Sequence, residues 1–223
     1  MIEDALRSAL TSPLFLAAWL PLVGLSLAAL LRDLARNNPQ IGGLMKWVWV
    51  LTVLYSGPLG LWVYYYSGRA QIARDSLWRR GFRSVAHCYS GCGAGEIVGV
   101  LVTAGLLSLG TWWVAGVTFA LAYVAGFGMT VGPLMQEGVG LRQALWDAFY
   151  SETASITVME VVAIGTDIWL AGDATMAQAL FWSSLVFSLS VGLLAAYPVN
   201  VVLIRFGVKS GMHSPKEAAG HGH

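Results

Sequence analysis

The chain has 223 residues, of which 57% are hydrophobic and 11% are charged. An ordinary soluble domain carries about 25% charged residues, so this composition excludes a typical soluble protein. The formal net charge of +1 leaves no global basic field to attract nucleic acid, and we expect no nucleic-acid partner.

Six apolar segments approach the length of about 20 residues that a membrane-spanning helix needs. In chain order they are Leu14–Leu31, Leu44–Tyr66, Ser84–Leu109, Thr111–Val131, Thr153–Ala171 and Ala177–Phe206. The sequence therefore predicts an all-α integral membrane bundle of about six transmembrane helices. Residues 1–213 are expected to form a single transmembrane domain in the lipid bilayer, and residues 214–223 a short mobile C-terminal tail. Assembly into a homo-oligomer is left open.

Lysines and arginines predict the orientation, because cytoplasmic loops carry an excess of them. With six spans, one side holds both termini and ten basic residues, against three on the other side: Arg32, Arg36 and Lys46. We therefore expect both termini in the cytoplasm. The ten are Arg7, Arg69, Arg74, Arg79, Arg80, Arg83, Arg142, Arg205, Lys209 and Lys216.

The third segment carries the least ordinary pattern for a membrane helix. Cys88, Cys92 and Glu96 are spaced four residues apart and should share one helical face, with His87 at its cytoplasmic end. A second stripe, formed by Gly91, Gly95 and Gly99, has the same spacing and predicts close approach of another helix, in line with the role of small residues in membrane packing. The one-residue connection at Gly110 predicts a tight hairpin with the fourth segment.

The fifth segment carries three acids, Glu152, Glu160 and Asp167, on nearly one face. A charged side chain in hydrocarbon costs about 2.5–3.5 kcal/mol on insertion scales, so such residues normally face the bundle interior and mark a pathway. We expect Glu160 at the depth of Glu96, with Glu152, Asp167 and the thioether of Met159 as further pathway groups.

These donors predict a metal site made of His87, Cys88, Cys92, Glu96 and Glu160. Thiolate and imidazole suit Cu(I) or Zn(II), and carboxylates broaden the choice toward Fe(II) or Mn(II). The leading hypothesis is therefore transition-metal transport or binding within the membrane. A thiol-based membrane redox protein and a structural or accessory subunit are the alternatives. Each residue also has a plainer interpretation, as a buried small side chain or a protonated acid that serves packing.

No sequence motif of a soluble enzyme occurs, such as a phosphate-binding glycine loop, a nucleophile elbow or His-Glu-x-x-His. We accordingly expect a transporter or metal-binding protein rather than an enzyme, with no catalytic residues.

Three stretches together resemble an uncharacterised bacterial membrane family, domain of unknown function 4396. They are His87-Cys88-x-x-Gly91-Cys92-x-x-Gly95-Glu96-Ile97, the acid Glu160 within Ser155–Trp169, and Tyr197-Pro198-Val199-Asn200-x-x-Leu203-Ile204-Arg205-x-Gly207-Val208-Lys209. The resemblance covers about Ser84–Met212 and implies a polytopic inner-membrane protein. It implies no activity, so function must be argued from the site. In the fifth segment, Thr157-Val158-Met159-Glu160-Val161 departs from the Leu-Thr-Ala-Phe-Glu type of stretch that the family shows.

Overall fold

The computed structural model describes residues 1–136 and 138–212, and the predicted tail, residues 214–223, lies outside them. The described residues form eight α-helices and no strand, which confirms the all-α class. The helices are α1 (Ile2–Thr11), α2 (Pro13–Arg36), α3 (Gly43–Ser56), α4 (Pro58–Ser67), α5 (Leu77–Val100), α6 (Thr111–Gln136), α7 (Leu141–Ala171) and α8 (Ala179–Arg205). A π-helical turn, Leu101–Leu106, continues α5.

Five helices are long and apolar enough to cross a membrane: α2, α5 with its π-helical turn, α6, α7 and α8. The protein is therefore a multi-pass membrane protein. Among these five, α5 is 72% buried along its most apolar stretch, whereas α2 is 11% buried. The helix that carries the cysteines thus forms the centre of the bundle, and α2 lies at its periphery.

The segment Leu44–Tyr66 is not the continuous helix expected from its hydropathy. Gly57 adopts a φ of 54°, which L-residues rarely adopt, and Pro58 starts a new helix there. A Cβ on Gly60 would lie 2.6 Å from the carbonyl oxygen of Thr52, whereas eight residues of continuous helix would span about 12 Å. The α3 and α4 helices therefore fold back on each other as a helical hairpin.

Both ends of this hairpin lie at the same end of the bundle. Near the start of α3, the backbone N–H of Ala70 donates to the Asn38 side chain, and Arg69 forms an ion pair with Asp33 of α2 at 2.9 Å. The ring of Trp49 packs edge-on against that of Tyr64, with centroids 5.3 Å apart. At 1.5 Å per residue, α3 reaches only about 21 Å inward and α4 about 15 Å. The hairpin is re-entrant and does not cross the bundle.

The re-entrant hairpin places the two ends of the described chain at opposite ends of the bundle, whereas the count of six spans predicts a common side. At the N-terminal side, Arg7 Nη2 donates to the carbonyl oxygen of Trp169 near the end of α7, at 3.1 Å. At the C-terminal side, Lys209 pairs with Glu152, which is more than half of the length of α7 away from Trp169. We call the end with Asn38, Arg69 and Lys209 the basic face, and the end with Arg7, Gly110 and Gly172 the opposite face.

The glycine stripe of α5 packs against α6, as predicted. A Cβ on Gly95 would lie 2.5 Å from the Leu121 carbonyl oxygen and 2.7 Å from the Ala122 Cα atom. A Cβ on Gly99 would lie 2.8 Å from the Thr118 Cα atom. The two backbones meet without room for a side chain, which fixes α5 and α6 as the tight hairpin expected at Gly110.

Candidate functional site

A cavity of about 880 Å³ opens at the basic face between the hairpin, α5, α6, α7 and the segment after α8. We call it the vestibule. His87 lines it and is 8% exposed, and among the described residues its Nε2 atom has no hydrogen-bond partner. The vestibule thus ends inward on an imidazole nitrogen that is free to accept a ligand.

Glu152 lines the vestibule and forms a buried ion pair rather than standing alone. Lys209 Nζ donates to Glu152 Oε2 at 2.5 Å and to Asn200 Oδ1 at 3.0 Å. Asn200 Nδ2 in turn donates to Ser155 Oγ at 2.5 Å, and Ser84 Oγ donates to Asn200 Oδ1 at 3.1 Å. This network joins α5, α7 and α8 and neutralises the charge of Glu152, which makes Glu152 a structural anchor of the vestibule.

Arg83 is a second buried charge at the vestibule, with 1% of its surface exposed. Its guanidinium pairs with Asp75 at 2.6 Å and donates to the carbonyl oxygens of Ser67 and Met212 at 3.0 and 2.9 Å. Arg83 therefore joins the end of the re-entrant hairpin to the segment after α8.

Glu152 was predicted from the sequence as a pathway group, but Arg83, Asn200 and Lys209 were not identified as site residues, and Arg83 and Lys209 counted only toward the orientation. A signal was present for Asn200 and Lys209, since both belong to the Tyr-Pro-x-Asn to Lys stretch that carries the family resemblance. A polar residue between apolar helices is rarely accidental.

Inward from His87, the two cysteines are buried side by side, as their spacing predicts. Cys88 Sγ and Cys92 Sγ are 3.9 Å apart, and both cysteines are free. A disulfide bond is about 2.05 Å long, so these sulfurs are not bonded. Two sulfurs that each lie about 2.3 Å from a shared zinc ion are spaced much like this pair.

Glu160 lies next to Cys92 and is fully buried. Within the described residues, neither of its carboxylate oxygens has a hydrogen-bond partner and no ion pair includes it. Glu96 is 2% exposed, interacts electrostatically with Glu160, and has an unpartnered Oε2 atom in the same part of the chain. Both acids are therefore buried, and no ion pair among the described residues includes either of them.

A second cavity, of about 140 Å³, opens toward the opposite face and is lined by Glu96 and Asp167. Ser184 Oγ donates to Asp167 Oδ1 at 2.7 Å. Glu160, Cys88 and Cys92 line neither cavity, so the five predicted metal ligands do not surround one open space. They form a column: His87 at the vestibule, the thiols and Glu160 in the closed core, and Glu96 at the second cavity.

Met159 does not join this column as a donor. A Cβ on Gly192 would lie 2.9 Å from the Met159 carbonyl oxygen and 3.2 Å from its Cγ atom. Met159 thus packs against α8, which is the plainer interpretation of a buried methionine. Across residues 1–136 and 138–212, no group of three or more His, Cys, Asp or Glu side chains is arranged to hold a metal ion.

Comparison with known proteins gives a family. No curated protein and no solved structure matches the chain. The family model described as "Domain of unknown function (DUF4396)" matches residues 77–209, which cover α5 to α8 and include every residue of the acid and thiol column. Because this match extends over more than half of the chain, the protein belongs to the DUF4396 family.

Proposed function

We propose that the protein carries a transition-metal cation across the membrane through the column of donors on α5 and α7. The observation that supports this is the position of the unpaired acids. Glu160 and Glu96 lie between two cavities that open at opposite ends of the bundle, and their buried oxygens lack partners in the described residues. A buried carboxylate pair needs a shared proton or a cation.

The order of the donors gives the path. A cation from the vestibule would meet His87, then the thiols of Cys88 and Cys92, then Glu160, and would leave past Glu96 and Asp167. Cys88, Cys92 and Glu96 share one face of α5, Glu160 of α7 lies next to Cys92, and Glu96 and Asp167 line the second cavity. When the column holds no metal, the acids hold protons, and a metal that displaces those protons couples its passage to proton movement.

The basic face is proposed to lie in the cytoplasm. Lys216 is outside the described residues, and eleven of the remaining twelve lysines and arginines belong to segments at the basic face. Arg7 alone lies at the opposite face. Six spans would give ten lysines and arginines on one side and three on the other. The difference is larger here, because the re-entrant hairpin leaves Arg32, Arg36 and Lys46 at the basic face.

Reporter fusions test this topology. A reporter active only outside the cytoplasm should give a signal when fused before Met1 and none when fused after Met212. Equal signals at both positions would contradict the five crossings that the re-entrant hairpin implies.

Metal flux in proteoliposomes tests the function. Vesicles with the protein should take up Cu(I) or Zn(II) faster than empty vesicles, and Glu160→Gln should abolish the difference. The matched control is Asp173→Asn, which removes an exposed acid in the loop after α7. Flux that is equal in Glu160→Gln and Asp173→Asn would contradict the proposal.

The same preparation separates the alternatives. If no metal moves and Cys88 and Cys92 cycle between thiols and a disulfide, the redox alternative replaces transport. If neither is observed, a structural or accessory role replaces it.

A further inference from the structure

Soft and borderline donors without a formal charge gather in the vestibule. Besides His87, its lining includes the methionines Met45, Met129 and Met212. Thioethers bind soft ions such as Cu(I) and are poor ligands for Zn(II), while imidazole binds both. Met129 therefore lies in the same cavity lining as the imidazole of His87.

Met129 packs against α5 at Gly91 and lines the same cavity as His87. Its Cγ atom is 2.7 Å from the point where a Cβ on Gly91 would lie, and Gly91 is one helical turn from His87. The missing side chain at Gly91 provides the room that Met129 occupies. The imidazole of His87 is more than nine-tenths buried, and its Nε2 atom has no partner within the described residues.

The charges around the vestibule favour a monovalent ion. The carboxylate of Glu152 is paired with Lys209, and that of Asp75 with Arg83, so these two pairs carry no net charge. Asp147 accepts a hydrogen bond from Gln143 at 2.8 Å. A divalent ion in a partly dry cavity needs negative ligands to balance its charge, and here two of the three carboxylates are already balanced. Neutral nitrogen and thioether sulfur are sufficient ligands for a soft monovalent cation.

We propose that the vestibule binds Cu(I) through His87 Nε2 and the thioether of Met129, as the first station of the path. This inference rests on the proposed function, because it names the cargo and the residues that capture it. From this station Cu(I) would pass to the thiols, which begin at the next residue along α5, Cys88.

The test is Cu(I) binding by the detergent-purified full-length protein under anaerobic, reducing conditions, in competition with a chromophoric Cu(I) chelator. Met129→Leu keeps the side-chain volume and removes the sulfur. It should weaken Cu(I) binding at the vestibule by about tenfold or more, as loss of a metal-ligand contact does. The matched control is Met135→Leu on the same helix, since Met135 is 46% exposed and does not line the vestibule. Zn(II) affinity should be the same in all three proteins.

X-ray absorption gives a second readout in the Cys88→Ser, Cys92→Ser background, in which methionines are the only sulfur donors left. Bound copper should retain a sulfur neighbour in that protein and lose it when Met129→Leu is added. Equal Cu(I) affinity in Met129→Leu and Met135→Leu, or copper without a sulfur neighbour in the double-serine background, would overturn the inference.

The outcomes for the capture site and for transport are distinguishable. If Met129→Leu weakens Cu(I) binding but the parent protein moves no metal, the proposed function fails and the capture site stands. If Glu160→Gln abolishes metal flux while Met129→Leu leaves Cu(I) affinity unchanged, transport stands and the capture site fails.

Discussion

Buried charged side chains are paired at the vestibule of this bundle, whereas the buried acids of its core are not. At the vestibule each buried cation has a carboxylate partner, Lys209 with Glu152 and Arg83 with Asp75. In the core, Glu96 and Glu160 are buried as deeply, yet none of the ion pairs in the described residues includes them. Paired charges hold helices together, whereas unpaired acids retain the capacity to bind an incoming ion. On α7 the difference separates Glu152, which anchors the vestibule, from Glu160, which belongs to the proposed pathway.

The largest effect is expected from breaking the vestibule pair. Lys209→Met leaves the buried Glu152 carboxylate without its partner and should destabilise the protein by about 3–5 kcal/mol. Thermal unfolding in detergent measures this as a lower melting temperature. Adding Glu152→Gln to Lys209→Met should restore much of the stability, since no buried charge then remains uncompensated. If the double variant is no more stable than Lys209→Met, the pair is not the anchor described above.

An intermediate effect is expected where α5 and α6 touch. Gly95→Leu forces a side chain into the space taken by the backbone at Leu121 and Ala122, and overpacking of this kind costs about 1–3 kcal/mol. The matched control is Gly128→Leu, because a Cβ on Gly128 meets nothing within 4 Å. The fraction of protein that elutes as a single species in detergent should fall for Gly95→Leu only. Equal elution of the two variants would show that the α5–α6 contact tolerates added volume.

The smallest effect on stability is expected in the core acids. Glu160→Gln replaces an unpartnered acid by an amide of the same shape, so the free energy of unfolding should stay within about 1 kcal/mol of that of the parent. The loss of stability in Lys209→Met and in Glu160→Gln therefore compares a paired charge at the vestibule with an unpaired acid in the core. A loss for Glu160→Gln as large as that for Lys209→Met would mean that Glu160 is also a structural anchor.

Local patterns were sufficient to predict the class of fold and much of the column. The four-residue spacing of Cys88, Cys92 and Glu96 fixes one face of any regular helix, and the glycine stripe beside it predicts the contact with α6. The free-energy cost of a carboxylate in hydrocarbon was sufficient to predict that Glu160 faces the bundle interior. These predictions required only the helical period and the apolar environment of the lipid bilayer.

The remaining features depend on tertiary contacts that one sequence does not contain. A re-entrant hairpin and a crossing helix have the same hydropathy, so Leu44–Tyr66 could be assigned as apolar but not as folded back. The Gly57-Pro58 pair was the available signal for the turn. Glu152 and Lys209 are 57 residues apart, and only the packing of α7 against the end of α8 brings them together. Met159 faces α8 for the same reason.

In the proposed transport cycle the core acids exchange protons for a cation, so metal uptake should be accompanied by proton movement. Proteoliposomes with a pH-sensitive dye inside should show proton movement opposite to Cu(I) or Zn(II) uptake, at a fixed ratio of protons to metal. Glu160→Gln should abolish both fluxes together, and Asp173→Asn should preserve both. Metal uptake through the parent protein with no accompanying proton movement would contradict the account.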